Sequence, residues 1–461
     1  MSKPFPDSFQ GNAAPWRLEG EAHDLPVIGT LPPGLSGTFY RNGPNPQFPP
    51  RGFYANWYDG DGMVHAFRFE EGRVHYTNKW VRTERFARER DAGEALFGTL
   101  FEPRSVAPSV KAASRNTANA TIVCHGGKVL ATWETGLPHE IDAETLETRG
   151  LYNFGGAMPH DMMAHPKIDS VSGEMHVFGR TAPHPEPGNV TYHVVDPAGT
   201  VIHTTEIAVP YESMTHDMFM TENFVVLTVF PAVYDHAREA AGGPYVAWEK
   251  DRASFLGVLP KGGAGSDINW IEFAGCWGSH TMNAYERDGV LLCDVIRYPR
   301  AMLFPDPDGS WPTGLEFPAL HRWTVDPAAR TVAQRRFDTA NGEMPVMDMR
   351  FRGRPYRHGY SAGWSGAVRG LDAIHHYNWE TGGRRSYVPG EGCLVQEPVF
   401  VPTGPTAGEG EGYLLALVYR GAEHRSDLVV LNAQAIDEAP IATVVLPHRI
   451  VTGLHGAWRP H

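Results

Sequence analysis

The chain has 461 residues, 42% of them hydrophobic, with a formal net charge of −13. That length supports a large core, and the acidic balance with no Lys/Arg run excludes a nucleic-acid-binding footprint. The longest apolar run, Phe224 to Val233, is too short to cross a bilayer.

The first segment, to about Pro33, carries prolines and charges with little period and reads as an arm wrapping the body. Strand and turn grammar begins at Gly37-Thr38-Phe39-Tyr40 and recurs to the C-terminal region. Doublets such as Glu71-Gly72, Gly126-Gly127 and Asp288-Gly289 separate alternating segments, which is hairpin chemistry. Gly 50 and Pro 38 are scattered rather than clustered, so they mark turns and not disorder. Only Val81 to Gly98 and Asp235 to Ala241 read as helical. Many short strands without strand–helix alternation give an all-β closed architecture, for which a propeller suits this length better than a sandwich. The repeats are too degenerate to count blades, and no composition shift divides the chain, so residues 1–461 read as one domain. Cys124, Cys276, Cys293 and Cys393 lack a CxxC spacing and read as reduced thiols of a cytoplasmic protein. The first residues, Met1-Ser2-Lys3-Pro4, show no apolar leader.

Twenty-two histidines are present, and most must be bystanders. Four have unusual settings. His165 precedes Pro166, which excludes it from a helix and places it at a strand end. His216 and His280 open apolar strands, and His455 sits in Thr452-Gly453-Leu454-His455-Gly456. They lie 51, 64 and 175 residues apart. Such spacing excludes a helical HExxH site or a zinc finger and suits one ligand per propeller blade of about 40–50 residues. An all-imidazole set suits Zn, Cu, Fe or Ni and leaves the ion its full charge. Glu134, Glu343 and Glu397 stand in apolar or proline-flanked settings, placed either to hold the second imidazole nitrogens or to cap turns.

Taken together, these stretches resemble the carotenoid cleavage oxygenase family over nearly the whole chain. The motifs are Phe39-Tyr40-Arg41-Asn42-Gly43-Pro44, Asp59-Gly60-Asp61-Gly62-Met63-Val64-His65 and Ala164-His165-Pro166-Lys167-Ile168-Asp169. They continue in His216-Asp217, His280 with Asn283-Ala284-Tyr285-Glu286, Gln396-Glu397-Pro398-Val399-Phe400 and Leu454-His455-Gly456. The resemblance implies a seven-bladed β-propeller with a dome of loops and short helices over the iron face. It implies one Fe(II) per chain held by His165, His216, His280 and His455, with Glu134, Glu343 and Glu397 behind them. His65, His125, His139, His160 and His424 are not ligands in this pattern. It further implies cleavage of an alkene C=C bond by O2 into two carbonyl products, with no protein acid or base.

The aromatic-alkene branch of the family carries a Lys and a Tyr that hold a phenol oxygen. Here Trp133 stands at the Lys position and Leu100 at the Tyr position, followed by Phe101. An apolar pair does not reward a phenolate, so the expected substrate is a carotenoid or apocarotenoid. The alternative is a stilbene, phenylpropene or vinylphenol, because Glu343 to Asp348 and Gly257 to Pro260 resemble bacterial members of that branch. Ala120 stands where a Thr is often seen in the family. Two further readings on the same scaffold are an isomerase-hydrolase and a non-catalytic polyene binder. The expected assembly is a monomer or homodimer with weak peripheral membrane contact at most. Phe224 to Val233 is the candidate greasy patch, although a buried strand suits that segment better.

Overall fold

The structure is a computed structural model that describes residues 5, 6, 9–52, 57–99, 102–159, 161–180, 188–314, 316–366 and 370–461. The chain forms two compact units. The first comprises Met1–Trp133, Leu137–Tyr152 and Arg357–His461, and the second Glu134–Gly136 and Asn153–Tyr356. Among the described residues, seven sheets of four to six strands hold nearly all of the strands, and one two-stranded ribbon holds the rest.

In the first unit, Gly20–Ala22, Arg73–Trp80, Gly62–Glu70, Gly37–Pro44 and Gly456–Pro460 form one antiparallel sheet in that order. The C-terminal strand thus pairs with an N-terminal one, Tyr40 opposite Ala457. The segment read as an arm adds strands to two sheets: Gly20–Ala22 to this one, and Val27–Gly29 beside Ala442–Val445. The hairpin doublets behave as their chemistry requires. Glu71 and Gly72 have φ of 49° and 74°, and Asp288 and Gly289 of 51° and 81°. Both central residues with positive φ make the turn that matches strand twist. Phe39, Phe67, Phe69, Leu415, Leu428 and Val444 form the core of this unit. The helix expected within 81–98 occupies Glu84–Ala92, because Thr83 caps its start and Gly93, at φ 73°, ends it. The second helix is His236–Ala240. Cys124, Cys276, Cys293 and Cys393 form no disulfide.

In the second unit three four-stranded sheets follow one another in sequence. They open with Lys167–Ile168, Met218–Met220 and Trp277–Arg287. Each opening strand contains one of the singled-out histidines or lies within two residues of it. Three successive sheets thus each carry one of His165, His216 and His280 at the opening strand. Phe224–Val229 is the second strand of its sheet, and Val225 to Val229 are buried, so this segment offers no greasy patch. No helix among the described residues is long and apolar enough to cross a membrane.

Aromatic packing dominates this unit's core. Trp323 is fully buried, with ring centroids of Phe273, Phe219 and Phe230 at 5.4, 6.0 and 6.2 Å. Trp323→Ala is expected to cost about 3–5 kcal/mol in urea unfolding, the usual range for emptying such a site. A loss below about 1 kcal/mol would show that the neighbouring rings close over the space.

Candidate metal centre

His165 lies two residues before the strand Lys167–Ile168, and Pro166 after it disfavours helical backbone there. His216 lies in the loop two residues before Met218–Met220. His280 lies inside Trp277–Arg287, where the register against Val290–Tyr298 shifts between Gly278 and Thr281 and again before Asn283. This irregularity re-aims a side chain that a regular pleat would send elsewhere.

The three rings gather within the second unit. Their centroids are 4.8 Å apart for His165 and His216, 5.1 Å for His165 and His280, and 4.7 Å for His216 and His280. Interplanar angles are 73°, 78° and 66°, so the rings meet edge-on and not in a stack. Nε2 of His216 and Nε2 of His280 are 2.9 Å apart.

Glutamates fix the other ring nitrogens. Nδ1 of His216 meets Glu134 Oε2 at 2.9 Å, and Nδ1 of His280 meets Glu343 Oε2 at 2.7 Å. Glu343 also accepts from the Tyr298 hydroxyl at 2.7 Å and from the Met344 N–H at 2.6 Å. Met344 adopts a left-handed φ of 56°, a strained conformation adjoining the carboxylate its N–H serves. Burial opposes ionisation of Glu343, yet His280 and these donors hold its pKa down to about 2. For His216, burial favours the neutral ring, and the Glu134 carboxylate outweighs it and raises the pKa.

In the first unit His455 is held in the same way. Its Nδ1 meets Glu397 Oε1 at 2.8 Å, and the Gly456 N–H donates to Glu397 Oε2 at 2.8 Å. Arg41, fully buried, donates to the same oxygen at 3.3 Å and through Nε to Gln396 Oε1 at 2.9 Å. Each of the three glutamates identified in the sequence thus holds a histidine, not a turn.

The pairing dictates what the rings can bind. A carboxylate only accepts, so both Nδ1 atoms on glutamate carry the hydrogen, and in the neutral rings both facing Nε2 atoms present lone pairs. Two such nitrogens 2.9 Å apart repel unless a cation, a shared proton or a metal ion, lies against both. Two imidazoles bound at right angles to one ion through bonds of about 2.1 Å stand about 3 Å apart. The donor set therefore fits a transition-metal ion.

Around His216 the surface is aromatic. The Trp277 ring lies 6.3 Å away at 27° and is backed by Phe230 and Phe304, both at 5.6 Å. Of the histidines set aside, His65 bonds Tyr76 at 2.7 Å and His424 bonds Tyr419 at 3.0 Å, as structural residues do. His160, Leu100 and Phe101 lie outside the described residues. Trp133 is half-buried in the first unit, with the Arg115 guanidinium 5.8 Å from its ring centroid. Ala120 is buried and its carbonyl accepts from the His455 N–H.

Lys167, Asp217, Trp277, Tyr298 and Arg41 were not singled out from the sequence. All but Tyr298 adjoin or belong to the quoted motifs, and that position was the available signal.

The retinal pigment epithelial membrane protein family matches residues 13–460. The chain belongs to this family. Its members here include the isoeugenol monooxygenase of Pseudomonas nitroreducens, 38% identical over 98% of this chain and 97% of that protein. The lignostilbene dioxygenase of Pseudomonas brassicacearum has a solved structure that aligns with a TM-score of 0.94, at 33% identity and over all of both chains. The cobalt-substituted apocarotenoid oxygenase of Synechocystis aligns with a TM-score of 0.88, at 30% identity and over 97% of each chain. The fold class of this carotenoid oxygenase family is the seven-bladed β-propeller that the resemblance implied. Its named relatives are oxygenases of alkenes, which agrees with the reaction class inferred there.

Proposed function

We propose that the protein is an Fe(II) oxygenase that cleaves an alkene C=C bond with O2 into two carbonyl products. Its ligands are His165, His216, His280 and His455, one ion per chain, with Glu134, Glu343 and Glu397 fixing the tautomers of the last three. The observation that carries this reading is the facing pair of Nε2 lone pairs on His216 and His280, each backed by a glutamate.

Iron(II), when bound, supplies the redox chemistry that activates O2 towards the alkene. The chain's own residues do the rest. The glutamates keep each Nδ1 protonated, so that Nε2 is the ligand atom, and they offset the charge of the ion. The strand-end positions and the bulge at His280 fix the ring directions before metal arrives. Trp277 with Phe230 and Phe304 keeps water from the side of His216. No acid or base is required of the protein.

On the sequence evidence the substrate is an apolar polyene, because Trp133 and Leu100 replace the polar handles of the aromatic branch. The second reading is an aromatic alkene. It is favoured by the 38% identity with an isoeugenol monooxygenase and the TM-score of 0.94 with a lignostilbene dioxygenase. A panel of apocarotenals, stilbenes, isoeugenol and vinylphenols, assayed under 18O2 with products weighed by mass spectrometry, decides between them. Labelled aldehydes from a polyene are the expected result. Labelled aldehydes from phenolic alkenes alone establish the second reading, and product free of label rejects oxygen cleavage altogether. The proposed setting is the cytoplasm, as a monomer or homodimer, with peripheral membrane contact weak at most.

A further inference from the structure

The residue following His216 joins the neighbourhoods of all three histidines in the second unit. Asp217 is buried, 3% exposed. Its Oδ1 pairs with Nζ of Lys167 at 2.5 Å and accepts from the Met218 N–H at 2.7 Å. Its Oδ2 accepts from the Thr281 N–H at 2.7 Å and from the Thr281 hydroxyl at 2.9 Å. Lys167 stands two residues after His165, and Thr281 one residue after His280. A single carboxylate therefore grips the opening strands of three successive sheets, each beside its histidine. Thr281 Oγ1 also reaches the Met218 carbonyl at 3.0 Å, and Thr228 Oγ1 donates to the Asp217 carbonyl at 2.8 Å, which pins the segment from behind.

We infer that Asp217 is a positioning residue that sets the mutual spacing of His165, His216 and His280, and so the affinity and geometry of the metal they bind. This rests on the metal reading above. Both carboxylate oxygens face donors only, Lys167 and the Met218 N–H on one side and Thr281 on the other. A side chain with two acceptor ends is required there. An asparagine turns its NH2 against a donor in either orientation, and one strand must move away. Lys167 pairs with Asp217, so the two together bring little net charge beside the histidines.

The test uses Co(II) as probe, added to metal-free full-length protein. Wild type, Asp217→Asn, Thr281→Val and the control Asp294→Asn are compared by Co(II) titration and by visible absorption of the bound ion. Asp294 accepts two hydrogen bonds from Arg322, at 2.8 and 2.7 Å, and one from Tyr356 at 2.6 Å. It is equally buried, and neither Arg322 nor Tyr356 adjoins His165, His216 or His280 in sequence. Asp217→Asn is expected to weaken Co(II) binding about 10-fold, the lower end of the cost of losing a group bonded to a ligand itself, and to shift the absorption bands. Thr281→Val, which keeps the backbone contact, is expected to shift the bands in the same direction by less. Asp294→Asn is expected to lower Tm with the spectrum unchanged. Should Asp217→Asn fail to fold, Thr281→Val alone carries the test. Lowered Tm with unaltered Co(II) affinity and bands in both Asp217→Asn and Thr281→Val overturns the inference. Absence of stoichiometric Co(II) binding by wild type overturns the metal reading instead.

Discussion

His280→Ala is expected to reduce bound iron from about one per chain to less than about a tenth, and carbonyl product by at least about 100-fold. Losing a partner one bond beyond a ligand already costs 10–100-fold, and this change removes the ligand itself. The fold should tolerate it. Glu343 keeps two donors, the Tyr298 hydroxyl and the Met344 N–H. The repulsion between the facing Nε2 atoms is also relieved, so metal-free variant and metal-free wild type should melt within a few degrees of each other. Elemental analysis of purified protein with aldehyde quantitation checks both quantities. Full aldehyde production by the variant would end the oxygenase proposal.

Glu397→Ala is expected to be the most destabilising change in the first unit. It strips the buried Arg41 of its facing carboxylate and takes the acceptors from His455 Nδ1 and the Gly456 N–H. Burial already lowers the Arg41 pKa to about 10 despite Glu397, which shows how poorly this site tolerates the cation. Breaking one half of a buried pair costs about 3–5 kcal/mol. Chemical unfolding should show that loss, and Arg41→Met added to Glu397→Ala should recover part of it, because the uncompensated charge is then gone. A cost below about 1 kcal/mol would mean that water reaches Arg41. Iron content should fall in both variants, since neither restores an acceptor for His455.

What could be read from the chain follows the range of the forces involved. The hairpins at Glu71-Gly72 and Asp288-Gly289 are local chemistry, decided by two residues each. His165 was marked by Pro166, and His216 and His280 by the apolar strands they open. The glutamates were visible because a carboxylate in an apolar run needs a reason. The contacts of Asp217 with Lys167 and Thr281 were not visible, since they join side chains 50 and 64 residues apart with no periodic signal. Nor was the bulge at His280, which needs the register of two strands, or the left-handed Met344, where the backbone contradicts the residue's own preference. The number of sheets was hidden because each keeps its own turns and loop lengths, so the repeat survives in hydrogen bonding and not in sequence.

The pairing of Gly37–Pro44 with Gly456–Pro460 also imposes an order of events during synthesis. The earlier strand leaves the ribosome long before its partner exists and waits with an open edge. His455 precedes that late partner directly, so a nascent chain holds three of the four proposed ligands until elongation has passed this point. Iron captured earlier would be held by an unfinished coordination sphere. Sheet closure and delivery of the fourth proposed ligand are thereby coupled.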